Sequence, residues 1–163
     1  MPKQKPLWTC PKCGNRFVTR NMWHSCSDHP LAGHFAGKDE LVRRLYDGFA
    51  SLVRECGPFT VVSQKTRICF MVRVRFAGVT TRKHWLDAGL YLHRRVEHPL
   101  FRRVERYTAH AYGHQLRLAS PADLEAARQE LMPVLREAYA VGCQKDEPPW
   151  KRTLDELFDL DVV

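Results

Sequence analysis

Hydrophobic periodicity changes twice along this 163-residue chain, and the two changes restrict the possible folds strongly. Apolar residues from Leu41 to Val53 recur every three or four positions, which predicts an amphipathic helix beginning at Asp39 and stopping at Gly57. Between residues 59 and 118 apolar residues recur at every second position, as in half-buried strands. A second helix is predicted from the Ser120 cap to Gly142, with Pro133 expected to kink or split it.

The alternating block predicts four or five strands. They are placed at residues 59–63, at 66–76 as one strand or a pair, at 86–92 and at 112–118, with Gly78 as a turn or bulge and residues 94–106 as a basic connection. The predicted fold class is α+β: a small N-terminal zinc finger or knuckle, then a two-layer domain. In that domain a four- or five-stranded antiparallel sheet is flanked by two helices in α-β-β-β-β-α order.

The same patterns divide the chain into three parts. Residues 1–37 are predicted to form the zinc-binding finger and a linker, and residues 38–143 the α+β domain. Residues 144–163 form an acidic C-terminal tail that includes Trp150.

Cysteine spacing near the N-terminus predicts a metal site. Cys10 and Cys13 are separated by two residues and followed by Gly14, which is the pattern of a zinc-knuckle turn. His24 and Cys26 follow closely, and Zn²⁺ prefers four nitrogen or sulfur ligands. We therefore expect one structural Zn²⁺ with the ligands Cys10, Cys13, His24 and Cys26.

The fourth ligand stays open at this point. His34 and His29 are alternatives to His24, although Pro30 follows His29 directly. A ββα finger does not fit, because positions 30, 31 and 32, where its next ligand would stand, are Pro, Leu and Ala, and His29 follows Cys26 by only three. The N-terminus has no apolar segment typical of a signal peptide, so we expect a cytoplasmic protein in which these thiols bind metal rather than form disulfides. No membrane span is expected, since no apolar run approaches about 18 residues.

Positive charge is concentrated in two parts of the chain. The formal net charge is +8, and residues 64–106 hold eleven Lys/Arg against three acidic residues. Residues 1–38 hold six against one, whereas residues 107–163 are acidic overall. This distribution is typical of a surface that faces a polyanion.

Basic and aromatic side chains interleave in the middle segment, and this favours nucleic-acid binding, to DNA or RNA, by a non-catalytic module. Arginines would contact phosphates, and aromatic rings would stack on exposed bases. The candidate arginines are Arg67, Arg73, Arg75, Arg94, Arg95, Arg102 and Arg103. The candidate aromatic residues are Trp23, Trp85, Tyr91 and Tyr107.

Several of these motifs together resemble a known family. They are Trp8, Cys10, Cys13 and Gly14; Asn21, His24 and Cys26; His34, Phe35 and Lys38; and Lys65-Thr66, with further matches up to Ala138-Tyr139. The chain resembles bacterial proteins in which a short zinc motif precedes the domain of unknown function numbered 5655, over about residues 8–143. The resemblance implies zinc and carries no activity. Met22 stands where the family usually has glutamine.

Two other function classes remain. Small zinc fingers often recognise proteins, and the acidic tail with Trp150, Leu154 and Phe158 offers a docking segment, so a regulatory adaptor is the first alternative. An enzyme is the second, with His110 and His114 as candidate general bases. No phosphate-binding glycine loop or nucleophile elbow occurs in the sequence.

Overall fold

The alternating residues form one six-stranded antiparallel sheet, with two helices on one of its faces. The computed structural model describes residues 4–21 and 29–144. The N-terminal elements are β1 (Trp8–Thr9), β2 (Arg16–Phe17) and a 3₁₀ helix (Leu31–Phe35). The main elements are α1 (Glu40–Cys56), β3 (Thr60–Ser63), β4 (Ile68–Met71), β5 (Arg75–Thr81), β6 (Leu86–Leu92), β7 (Arg103–Thr108), β8 (Ala111–Leu118) and α2 (Pro121–Cys143).

The strand order in the large sheet is β3-β4-β5-β6-β8-β7. The α+β class with two helices is confirmed, but the predicted strand count and order are wrong, because the strand Arg103–Thr108 begins within the expected connection and extends past its end. This edge strand lacks the apolar alternation of a half-buried strand: Val104 is partly buried and its neighbours are exposed. Gly78 is not a turn either. It lies within β5, and the irregular register falls between Phe70 and Met71.

The connection from β6 to β7 crosses β8. Both strands are antiparallel to β8, so residues 93–102 must pass over it, and they do so on the helix side. Val96 N–H donates to His114 Nε2 at 2.9 Å, and the rings of Phe101 and His114 lie 5.0 Å apart. His114, only 1% exposed, thus anchors the crossover.

Because of this anchor, we expect stability to fall on mild acidification. Burial, reinforced by Arg95 and Arg94, lowers the pKa of His114 below its usual 6.5. As the pH falls, the unfolded chain therefore takes up a proton at His114 before the folded chain does. The stabilisation from the neutral, buried imidazole is complete above about pH 6.5 and is lost as the pH falls below that value. Urea unfolding at about pH 7 and about pH 5 measures the difference.

The control is His114→Gln, whose amide oxygen accepts from Val96 N–H and does not titrate. This variant should show a smaller loss of stability between the two pH values. A remaining slope is expected from His34, whose pKa is also lowered, mainly by burial. An unchanged slope in the variant would contradict the role given to His114.

The two helices cover the same face of the sheet and enclose the core. The apolar stripe of α1 is buried as predicted, and Gly48 on α1 lies directly against Leu124 of α2. The predicted cap of α2 is confirmed, since Asp123 N–H donates to Ser120 Oγ at 3.3 Å. Pro133 does not split α2, which continues as one helix to Cys143, one residue beyond the predicted end.

Candidate nucleic-acid interface

A row of glycines lies on the sheet face opposite the helices, here called the open face. Gly78 pairs with Gly89, and Gly113 pairs with Tyr91 on one side and Glu105 on the other. With no side chains at these positions, the backbone forms the floor of a cleft of about 280 Å³, the glycine cleft. Its walls include Arg67, Thr80, Arg82, Asp87, Tyr91, Arg103, Glu105, Tyr107 and Gln115.

Two tyrosines stand together beside this floor. The rings of Tyr91 and Tyr107 lie 6.0 Å apart at an interplanar angle of 46°. Tyr107 is 54% exposed, and a Cβ atom on Gly113 would lie only 2.8 Å from its ring, so the glycine is what lets the ring lie close to the sheet. Burial, then Tyr91 and Glu105, raises the pKa of Tyr107, so its hydroxyl stays protonated at neutral pH.

Arginines surround the tyrosines. Arg67 Nη1 lies 3.5 Å from the Tyr91 hydroxyl, a long and therefore weak contact. Arg103 Nη2 donates to Glu105 Oε1 at 3.2 Å. Both arginines are exposed and line the cleft, so their guanidinium groups remain accessible to an anion.

Asp87 organises one end of the cleft. This carboxylate is 5% exposed and accepts from Arg82 Nε at 3.1 Å and from Arg117 Nε at 3.3 Å. Arg117 in turn stacks over Trp85, 4.4 Å from the ring centroid. The indole Nε1 of Trp85 is buried and has no hydrogen-bond partner within the described chain. Asp87 therefore holds two arginines in place on the open face.

Of the seven arginines predicted from the sequence, some lie at the glycine cleft and the others lie away from it. Arg67 and Arg103 line the glycine cleft, and Arg75 lies close enough to Cys69 in its wall to lower the pKa of that thiol, which burial raises overall. The others are outside the cleft lining. Arg73 binds Gln144 Oε1 and the Lys5 carbonyl. Arg102 N–H bonds the Gln115 carbonyl in the sheet.

Arg94 and Arg95 belong to the crossover. Arg94 makes two 2.8 Å bonds to the Glu137 carboxylate on α2, so it lies on the helix side. Arg95 pairs with Glu97 at 3.5 Å. The seven arginines thus do not form one basic face. Arg82, Arg117 and the three glycines were missed, although the alternation in β6 already placed Trp85, Asp87 and Tyr91 on one face.

The N-terminal hairpin presents the first two predicted zinc ligands. Cys10 N–H donates to the Asn15 carbonyl at 2.8 Å, Gly14 N–H donates to the Cys10 carbonyl at 2.9 Å, and Gly14 has a φ of 76°. This tight turn fits a knuckle around Cys10 and Cys13. His24 and Cys26 lie outside the described residues, so the predicted zinc finger stays a prediction.

The alternative ligands His29 and His34 lie in another environment. Within residues 4–21 and 29–144, no three His, Cys, Asp or Glu side chains group as metal ligands. His34 Nε2 instead lies 2.9 Å from Ser63 Oγ. A site made of Cys10, Cys13 and either histidine is therefore not present in the described part of the chain.

The histidines proposed as general bases do not form a pair. His114 is buried beneath the crossover, whereas His110 is exposed in the β7–β8 turn, where its carbonyl faces His93 Nδ1 at 3.1 Å. The acidic tail proposed for partner docking lies outside the described residues from residue 145 onward.

A comparison with protein families identifies the family of this chain. The family model described as Domain of unknown function (DUF5655) matches residues 31–142. The chain belongs to this family. The segment that matches DUF5655 runs from the 3₁₀ helix to the last turn of α2 and contains the whole six-stranded sheet. None of the curated proteins and none of the solved structures compared with the chain matches it. A helix with the length and hydropathy of a membrane span does not occur among the described residues.

Proposed function

We propose that this protein binds single-stranded nucleic acid, DNA or RNA, in the glycine cleft. The observation that carries the proposal is the meeting of Tyr91 and Tyr107 with Arg67 and Arg103 over a floor without side chains. Stacking on an aromatic ring requires an unpaired base, so a single strand fits this cleft better than a duplex.

Charge supports the same ligand. Five arginines, Arg67, Arg75, Arg82, Arg103 and Arg117, lie on or beside the open face, against the carboxylates Asp87 and Glu105. Each of these two carboxylates is already paired with arginine, which disfavours a metal-dependent nuclease site in the cleft. The proposed role is therefore binding without catalysis, through phosphate contacts and stacking that do not depend on base sequence.

Fluorescence anisotropy tests the proposal with a labelled oligothymidylate of about twelve nucleotides, the matching oligouridylate and a DNA duplex. We expect single strands to bind more tightly than the duplex, with log affinity falling linearly with log salt. Arg67→Gln and Arg103→Gln should each reduce the magnitude of that slope by about 0.7. Tyr107→Ala should weaken binding by about tenfold with little change in slope.

Arg94→Gln and Arg128→Gln are the matched controls, because both arginines pair with glutamates on the helix side. They should bind like the wild-type protein. Equal effects of all four arginine substitutions would place the interaction elsewhere, and an absence of binding at low salt would end the proposal.

We also propose that Cys10, Cys13, His24 and Cys26 hold one structural zinc ion. The Cys10–Gly14 turn supports this, and four protein ligands would leave no open position for substrate. Cys13→Ser should reduce bound zinc from about one equivalent to near zero, measured by elemental analysis of the purified protein. Cys56→Ser, which changes a partly buried thiol on α1, is the control and should keep its zinc. Full zinc content in Cys13→Ser would show that the site is misassigned.

A further inference from the structure

A second cleft, of about 460 Å³, opens beside the first. It lies between residues 29–38, the β3–β4 turn and the end of β5, and we call it the lysine cleft. Its polar lining includes His29, His34, Lys38, Lys65, Thr66 and Arg82. None of the described residues that line it is acidic, whereas Asp87 and Glu105 line the glycine cleft.

The lysines of this cleft lack counter-ions. Lys38 Nζ donates to the His34 carbonyl at 2.7 Å and to the Thr81 hydroxyl and carbonyl at 2.5 and 3.2 Å. All three acceptors are neutral. Neither Lys38 nor Lys65 forms an ion pair with a carboxylate of the described residues, in contrast to Arg82, which Asp87 neutralises. A partly buried ammonium without a carboxylate favours an anion from outside the chain.

Two histidines lie in the same lining. His29 Nε2 is buried and has no hydrogen-bond partner among the described residues. His34 is 8% exposed and bonded to Ser63, and burial, followed by the Lys38 charge, lowers its pKa, so it is neutral and leaves the lysines as the charge of the cleft. The Lys65 ammonium and the Thr66 hydroxyl share this lining, and donors of these two kinds suit a tetrahedral oxyanion.

We propose that the lysine cleft binds a phosphate group, with Lys65 and Thr66 as direct contacts and Lys38 supplying positive potential. Thr80 and Arg82 line both clefts, so the two are adjacent. A strand lying in the glycine cleft would therefore place its terminal phosphate here. Only the choice of a nucleic-acid strand as the carrier of the phosphate rests on the proposed function. The residues that form the phosphate site do not depend on that function.

Competition experiments separate a terminal phosphate from an internal one. Three unlabelled oligothymidylates with identical bases, one with hydroxyls at both ends, one with a 5′-phosphate and one with a 3′-phosphate, compete with the labelled strand at constant ionic strength. One of the phosphorylated strands should compete about tenfold better than the hydroxyl strand. Lys65→Gln should remove the difference. Lys83→Gln, which changes an exposed lysine outside both clefts, should retain it.

A second experiment, with inorganic phosphate alone, tests the phosphate site without nucleic acid. The ³¹P resonance of the phosphate should broaden with the wild-type protein and with Lys83→Gln, and much less with Lys65→Gln, in a phosphate-free buffer. Broadening without oligonucleotide binding would support the phosphate site, assign it to a free phosphate and reject the nucleic-acid proposal. Equal competition by all three strands, together with an unchanged ³¹P resonance, would overturn the phosphate proposal even if the strands bind.

Discussion

The variant Gly89→Thr is expected to fold like the wild-type protein and to lose single-stranded nucleic acid binding by tenfold or more, or about 1.4 kcal/mol. A Cβ atom at Gly89 would meet only the Gly78 and His114 carbonyl oxygens, each at 3.9 Å, an ordinary contact distance. Threonine is also favoured in strands, so stability should not fall. The side chain would, however, project from the floor of the glycine cleft and occupy the space proposed for the bases.

Two measurements isolate this steric effect. Urea unfolding should give Gly89→Thr a midpoint equal to or above that of the wild-type protein. Gly89→Ala should bind with intermediate affinity, since its methyl group fills less of the cleft. If Gly89→Thr is stable and binds with wild-type affinity, the ligand does not lie over Gly89, and the glycine cleft is not the binding site.

Phe70→Ala should destabilise the protein by about 4 kcal/mol, an effect typical of removing a large buried ring. Phe70 is fully buried at the centre of an aromatic cluster, with ring centroids 4.8 Å from Phe59 and 6.1 Å from both Tyr46 and Phe49. Phe70 lies on β4 and these neighbours lie on α1 and just before β3, so the cavity forms where several elements meet and its collapse is difficult. Linear extrapolation of urea unfolding measures the change.

The matched variant is Phe70→Leu, which retains most of the apolar volume and should cost about 1.5 kcal/mol or less. Both variants should bind nucleic acid normally under conditions in which they are folded, because Phe70 points to the helix side. A loss below about 1 kcal/mol for Phe70→Ala would contradict the burial of this ring.

Much of the secondary structure is visible in the sequence because local signals agree with the tertiary environment. The apolar stripe of α1, the cap at Ser120 and the alternation in β6 each report which side of an element is buried. The edge strand β7 could not be predicted in this way. Its strand conformation depends on hydrogen bonds from β8, not on burial of its own side chains.

The candidate site was predicted only in part for a related reason. Tyr91, Tyr107, Arg67 and Arg103 were all identified as candidates for nucleic-acid contact, but so were Arg73 and Arg94, which bind other parts of the same chain. Composition records that arginines are abundant in a segment. It does not record which of them already have a protein partner.

The sequence by itself determined the two helices, most of the strands, the α+β class and the cysteine turn, since these follow from periodicity and spacing along neighbouring residues. The tertiary structure decided the crossover to β7, the position of that strand at the edge beyond β8, and the meeting of residues 67, 91, 107 and 113 at one cleft. Contacts between residues so far apart depend on the strand order. That order is set by packing over the whole sheet, and no local pattern in the chain records it.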